Sequence, residues 1–126
     1  MTELQQEIRA VVDALSAIRT PAVPGEYDIH AEAARALEAA GIGCMHEYKL
    51  GPRCRIDFLA GRIGIEIKKG RPVASTLRTQ IERYLGFDAV EAIVVVTQQN
   101  VPLPAAICGK PVIPVSLNRL WGVALP

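Results

Sequence analysis

The sequence is poor in the residues that build disulfide frameworks and zinc sites. Its 126 residues include three cysteines and two histidines. Cys44, Cys54 and Cys108 are odd in number and form no CxxC pair, and neither His30 nor His46 has a cysteine or histidine partner at zinc spacing. This composition excludes a disulfide scaffold and a zinc module of the usual kind. We therefore expect reduced thiols and a cytoplasmic protein.

Long hydrophobic runs are also missing. No apolar stretch approaches the roughly 20 residues that a membrane-spanning helix needs. The first residues, MTELQQEIRAVVDAL, carry acids early and lack the continuous apolar block of a secretory signal. We expect no membrane association. Half of the 126 residues are hydrophobic, which suits one domain with a substantial core over residues 1–126.

Charge is small in total but uneven along the chain. The formal net charge is +1. Residues 1–48 hold three arginines and eight acids, whereas residues 49–83 hold nine basic residues and three acids. A basic block of this kind indicates a polyanionic partner such as nucleic acid, although the signal is weak when taken alone.

The spacing of apolar residues and chain breakers predicts an α/β fold. Helices are expected at residues 2–19, 27–40 and 75–86, and strands at residues 42–49, 54–60, 63–69, 92–97 and 111–117. Residues 20–25 form a breaker, Ser75 is the expected N-cap of the third helix, and Gly41 and Gly86 end helices two and three. The order of elements predicts a mixed β-sheet flanked by helices.

Two of these strands have features that locate them in the sheet. The apolar run at residues 92–97 is typical of a central strand that is covered on both faces. Prolines place the last strand near an edge of the sheet.

The stretch GRIGIEIKKG, residues 61–70, follows the period of two of a half-buried strand. Gly61 suits the first position of a type II′ turn that joins this strand to residues 54–60. That turn sets Phe58 opposite Ile65 and Asp57 opposite Glu66, with Ile56 and Phe58 expected on one face.

The hairpin would place two carboxylates directly across from each other, where like charges repel. A divalent cation between Asp57 and Glu66 would remove the repulsion, because hard cations prefer oxygen ligands. Lys68 shares the face of Glu66. The ordinary alternative is a solvent-exposed face of the sheet, on which Lys68 and Arg55 neutralise the two acids.

These residues resemble the signature of the PD-(D/E)XK nuclease superfamily. Asp57, a gap of eight residues and then Glu66-Ile67-Lys68 match it, although position 56 is isoleucine where the written signature has proline. The resemblance implies a restriction-endonuclease-like αβββαβ core at residues 27–97. Residues 1–26 would then be an N-terminal helix and linker, and residues 98–126 a C-terminal strand and tail.

A second match lies on the expected third helix. Gln80 and Tyr84 are similar to the Q-x-x-x-Y element of the RecB-type and lambda-exonuclease-like branch, and their i, i+4 spacing puts both on one helix face. Alone, this pattern also fits a tyrosine that packs at a core margin. The basic residues expected to contact nucleic acid, together with Tyr84, are Arg55, Lys69, Arg71 and Arg78.

The resemblance implies a site that binds Mg²⁺ or Mn²⁺. Asp57, Glu66 and the main-chain carbonyl of Ile67 would be ligands, Lys68 would stabilise charge or orient water, and Gln80 would assist. Many members add an acid from the first core helix. Glu32 is preferred over Glu38 and Glu26, and Glu47 on the preceding strand is a further candidate. Each of these glutamates is equally an ordinary surface residue.

The functional hypothesis is a metal-dependent nuclease that hydrolyses phosphodiester bonds in DNA, acting as a homodimer because cleavage of both strands usually needs two sites. A first alternative is a nucleic-acid-binding module with the same fold and a silent site. A second is an interaction protein that assembles through the amphipathic helix at residues 2–19. The sequence does not distinguish endonuclease from exonuclease or single from double strands.

Overall fold

The computed structural model describes residues 1–18 and 26–117, with the backbone alone for residues 26–28. The expected breaker at residues 20–25, the side chain of Glu26 and the tail from residue 118 lie outside the described residues. The helices are α1 (Glu3–Ser16), α2 (Glu26–Ala39) and α3 (Ala74–Leu85). The strands are β1 (Met45–Gly51), β2 (Cys54–Ala60), β3 (Ile63–Lys68), β4 (Ala92–Thr97), β5 (Ala106–Ile107) and β6 (Lys110–Ser116).

The strands form one mixed sheet in the order β1-β2-β3-β4-β6-β5. The first three strands are antiparallel neighbours, whereas β4 is parallel to both β3 and β6. The predicted α/β class with a mixed sheet is therefore confirmed. The two-residue strand β5 was not predicted. Among the described helices, none is long and apolar enough to cross a membrane.

Two apolar clusters cover the two faces of the sheet. The first cluster joins α1 and α2 to side chains such as Phe58, Ile65 and Val94. The second cluster joins α3 to Ile56, Ile93 and other side chains of the opposite face. All six residues of β4 are buried, as expected for a central strand.

Local capping explains where the helices begin and end. Thr2 and Gln5 form a reciprocal capping box at the start of α1. Gly41 has a φ of 73° after α2, where its N–H donates to the Glu38 carbonyl. The predicted Ser75 cap of α3 is wrong: the N-cap is Val73, which makes no side-chain cap hydrogen bond, and Ser75 already lies inside the helix.

The hairpin between β2 and β3 has the predicted register. Ala60 pairs with Ile63 and Phe58 pairs with Ile65. Gly61 has a φ of 62°, the positive value that the first position of a type II′ turn requires. Arg62 in this turn donates to Glu7 of α1 at 3.1 Å through Nε. The closed end of the hairpin is therefore attached to α1, and its open end contains Asp57 and Glu66.

Candidate active site

The paired hydrogen bonds between β2 and β3 stop just before the two acids. The last backbone pair is Phe58 with Ile65. At the next step the carboxylates bond to the opposite strand: the Asp57 N–H donates to Oε1 of Glu66 at 3.4 Å, and the Ile67 N–H donates to Oδ2 of Asp57 at 2.7 Å. Glu66 therefore holds the backbone of β2, and Asp57 holds the backbone of β3. The backbone pairing of the two strands ends at this point.

The side-chain alternation of β2 also changes at Asp57. Phe58 belongs to the cluster under α1 and α2, but Ile56 belongs to the cluster under α3. Residues two apart on a regular strand share a face, so the prediction that these two do is wrong. On β1, Glu47 at the same level has a φ of 51°. The irregularity lets Asp57 face the opening between the strands instead of one face of the sheet.

Glu66 is the most deeply buried acid of the site. Only 2% of the side chain is exposed, and its Oε2 lies 3.2 Å from Nζ of Lys68 and 3.2 Å from the hydroxyl of Tyr84. Burial, followed by the negative charge of Asp57, raises the pKa of Glu66 to about 7, while Lys68 opposes this shift. The protonation of Glu66 consequently changes close to neutral pH.

Asp57 is more accessible than Glu66, with 20% of its side chain exposed. Burial raises the pKa of Asp57 above its ordinary value, against the hydrogen bond from the Ile67 N–H and the electrostatic effects of His30 and Lys68. Because the two carboxyl groups are close, ionisation of one makes ionisation of the other less favourable, and the pair loses its two protons in separate steps. A divalent cation would permit both carboxylates to ionise.

Gln80 and Tyr84 connect α3 to the acids. Nε2 of Gln80 donates to the Tyr84 hydroxyl at 2.8 Å. That hydroxyl lies 3.2 Å from both Glu66 Oε2 and the carbonyl of Arg55, and its single proton serves one of them at a time. Burial and then the charge of Glu66 raise the pKa of Tyr84, so the phenol stays a neutral donor. The structure thus brings both predicted α3 residues to the site.

Sequence reasoning missed two histidines beside Asp57. Nε2 of His30 on α2 lies 3.6 Å from Asp57 Oδ2, and its Nδ1 lies 3.0 Å from Nε2 of His46 on β1. The His46 ring stacks on Phe58, with centroids 4.5 Å apart, next to an open cavity of about 510 Å³. A polar residue directly after buried Ile29 on a core-facing helix was the available signal.

The additional glutamates predicted as metal ligands do not join this arrangement. Glu32 pairs with Arg35 on α2. It is two residues from His30, which is roughly 200° around a helix of 3.6 residues per turn, so it points away from Asp57. Glu47 is exposed at its irregular position on β1. Among the α2 side chains that the structure describes, His30 is the one that approaches Asp57.

The four basic residues predicted to contact nucleic acid lie at the surface, whereas Tyr84, the fifth predicted contact, is only 3% exposed and lies against Glu66 and the Arg55 carbonyl. Arg55, Lys69 and Arg71 are exposed. Arg78 is exposed as well and pairs with Glu82 at 3.2 Å along α3. A cavity of about 180 Å³ adjoins Lys68 and Gln80, with an otherwise mostly apolar wall from α3 and the loop before it.

The two central carboxylates fit an oxygen-preferring cation. Their oxygens share the opening between β2 and β3, and the Ile67 N–H points into it toward Asp57. The Ile67 carbonyl points to the same side, because both groups of a strand residue face the same neighbouring strand. Among the described residues, however, no group of three or more His, Cys, Asp and Glu side chains is placed to hold a metal ion. The fit therefore rests on two side chains and one carbonyl.

Comparison of the chain with protein-family models, with curated proteins and with solved structures finds no match in any of the three. The geometry of Asp57, Glu66 and Lys68 is therefore the basis for a functional assignment.

Proposed function

We propose that this protein is a Mg²⁺- or Mn²⁺-dependent nuclease that hydrolyses phosphodiester bonds in DNA. The observation that carries the proposal is the reciprocal bonding of Asp57 and Glu66 where β2 and β3 separate, with Lys68 on Glu66. A buried acid and a partly buried acid, both with raised pKa values, are costly for stability where two strands separate, which favours a functional role.

The restriction-endonuclease-like core is part of the same proposal. The order α2-β1-β2-β3-α3-β4 agrees with the αβββαβ core that the sequence resemblance implies. The contact of Tyr84 with Glu66, and of Gln80 with Tyr84, supports the further likeness to the Q-x-x-x-Y branch. The single-domain division into residues 1–26, 27–97 and 98–126 remains a prediction.

The proposed cation ligands are Asp57, Glu66 and the carbonyl of Ile67. A bound Mg²⁺ or Mn²⁺ would supply a water of lowered pKa and charge stabilisation at the scissile phosphate. Asp57 and Glu66 hold their orientation through hydrogen bonds with the backbone of the opposite strand, so little rearrangement is needed.

Lys68 is proposed to stabilise negative charge on the reacting phosphate. Its ammonium group is 3.2 Å from Glu66 and its side chain is 28% exposed, so it can approach both the carboxylate and a substrate. The ammonium group already forms an ion pair with Glu66. This makes electrostatic stabilisation, or orientation of the attacking water, a better role for Lys68 than that of a free general base.

The test compares cleavage of circular and linear DNA, single- and double-stranded, and of RNA, with Mg²⁺, Mn²⁺ or EDTA. Glu66→Ala and Lys68→Ala should each abolish metal-dependent cutting, while the exposed acid variant Glu3→Ala should cut like the native chain. The circular substrate separates endonuclease from exonuclease. If native protein binds DNA in a salt-dependent manner but cuts none of the substrates, the proposal fails and the silent binding module replaces it.

The homodimer remains part of the proposal for a double-stranded substrate. Sedimentation of the protein with duplex DNA in EDTA should show two copies on each duplex. A monomer alone on every duplex would remove the dimer from the proposal without affecting the assignment of the site.

A further inference from the structure

We infer that the turn between β1 and β2, residues 49–55 and termed the basic hairpin, binds a phosphodiester of the nucleic-acid backbone beside Asp57 and Glu66. The identity of this ligand rests on the proposed function. The inference adds Lys49 and Arg53 to Arg55 and assigns the three cations to one binding surface.

The first observation is a pair of like charges. Lys49 is the strand partner of Arg55, so two cations face each other across the antiparallel pair. Like charges in this position destabilise a sheet. Among the described side chains of residues 1–18 and 29–117, no acid forms an ion pair with Lys49, Arg53 or Arg55. A bound anion would compensate all three charges.

The second observation is a concave surface at the same place. An open cavity of about 440 Å³ is lined by Lys49, Arg53, Cys54 and Arg55. Three of these four residues are cationic and none is acidic. The planar guanidinium group of arginine matches the oxygens of an anion, so two arginines and a lysine around one cavity form an anion site, and its place on the strand that carries Asp57 makes a phosphodiester of the proposed substrate the ligand.

The third observation concerns the backbone of Arg53. Its φ of 57° lies in the left-handed region, which glycine and asparagine adopt more readily than arginine. The chain thus places a long cationic side chain where the backbone favours a different residue. An unfavourable backbone conformation of this kind is expected at a position whose side chain has a function, here the binding of phosphate.

The basic hairpin is held firmly against the rest of the site. A Cβ at Gly51 would lie 2.7 Å from Cε1 of Phe87, so the turn packs closely on that ring. The Arg83 side chain donates to the Pro52 carbonyl at 3.4 Å, and the Tyr84 hydroxyl lies 3.2 Å from the Arg55 carbonyl. The same hydroxyl lies 3.2 Å from Glu66, so Tyr84 is placed between the hairpin and the acids.

The position of Arg55 indicates which phosphate is bound. Arg55 precedes Asp57 by two residues, roughly 7 Å along an extended strand at about 3.4 Å per residue. A phosphate in the cavity would therefore belong to a nucleotide next to the one whose phosphate lies at the acids. The basic hairpin would position the strand that is cut.

The experiment measures binding of fluorescently labelled single- and double-stranded DNA by anisotropy, over a series of salt concentrations, in EDTA so that no substrate is cut. The variant Lys49→Gln/Arg53→Asn removes two exposed cations, and asparagine accepts the left-handed backbone. We expect at least about a tenfold loss of affinity and a log–log salt slope smaller by about 1.4 to 1.8, the value for two lost phosphate contacts. Arg9→Gln on α1 is the matched control and should retain the native slope.

The outcomes separate this inference from the proposed nuclease activity. A double variant with native affinity and slope, and an unchanged melting temperature, overturns the inference even if the native chain cuts DNA. Loss of binding in that variant supports the inference even if no substrate is cut. Saturable binding of inorganic phosphate without binding of either DNA would overturn the assignment to a nucleic-acid backbone.

Discussion

The hydroxyl group of Tyr84 on α3 lies 3.2 Å from Oε2 of Glu66 on β3, inside the molecule. Leu77 and Ile81 pack the same helix against the sheet, which brings Tyr84 over the site. Gln80 donates to the hydroxyl from one turn earlier. The phenol therefore provides a buried carboxylate with a neutral hydrogen-bond donor and links the helix to the separated strands.

Tyr84→Phe should lower both stability and cleavage. At a pH above the pKa of Glu66, the Glu66 carboxylate would lack the hydrogen bond that the Tyr84 hydroxyl donates. The free energy of unfolding should fall by about 1–2 kcal/mol. Urea denaturation in EDTA measures this loss, and cleavage should fall by about tenfold or more. Tyr48→Phe is the control, because Tyr48 packs against the second cluster without a contact to Glu66. Equal losses in the two variants would contradict the assigned role.

The raised pKa of Glu66 predicts that the metal-free protein becomes less stable as pH rises. A carboxyl whose pKa is higher in the folded than in the unfolded state favours folding while protonated. The stabilisation is complete below the ordinary value of 4.5 and is lost as pH rises to about 7. The free energy of unfolding in EDTA should therefore fall by on the order of 2 kcal/mol between about pH 5 and pH 8.

The control for this pH dependence is Glu66→Gln, which should make the profile flatter because the amide does not titrate. The raised pKa of Asp57 acts in the same direction, so some dependence should remain. Glu3→Gln on α1 should retain the native profile. Stability that stays constant or increases toward pH 8 in the native protein would show that Glu66 is ionised at little cost.

Asp57→Asn should stabilise the metal-free protein by about 1 kcal/mol near pH 8, because it removes one of two adjacent negative charges. The amide oxygen of asparagine can still accept the hydrogen bond from the Ile67 N–H. The same variant should lose any rise in melting temperature on addition of Mn²⁺. Asp13→Asn on α1 is the control, and destabilisation specific to Asp57→Asn would contradict the repulsion argument.

Local patterns were sufficient to predict the hairpin that carries the acids. Glycine at position 61 and the alternating isoleucines define the turn and the register, so the pairing of Phe58 with Ile65 followed directly. The apolar run of β4 and the i, i+4 spacing of Gln80 and Tyr84 were equally local signals.

The remaining features depend on tertiary contacts that no local pattern contains. The change of face between Ile56 and Phe58 occurs where the Asp57 N–H bonds to the Glu66 side chain of β3 instead of to a backbone carbonyl. His30 reaches Asp57 because α2 packs above the point where the strands separate. Val73 is the N-cap of α3, whereas the side-chain rule for N-caps favoured Ser75.

Gly64 shows how the core supports the irregular strand. A Cβ at position 64 would lie 2.5 Å from Cδ1 of Ile56 and 3.2 Å from Cγ1 of Val90. Ile56 occupies this space because the alternation of β2 changes at Asp57. Gly64→Ala should therefore destabilise the protein by about 1–3 kcal/mol through overpacking. It should also weaken the response to Mn²⁺, since Ile56 is adjacent to Asp57.

A double-mutant cycle tests this explanation. Ile56→Val removes the terminal methyl group that an alanine at position 64 would meet, at a cost of about 0.5–1.5 kcal/mol alone. Combined with Gly64→Ala, it should recover part of the lost stability, so the two effects should be less than additive in urea denaturation. Gly43→Ala is the control, because a Cβ there has no atom within 4 Å. Strictly additive effects would mean that Gly64→Ala destabilises the protein for a reason other than the space taken by Ile56. The change in side-chain alternation at Asp57 would then not depend on glycine at position 64.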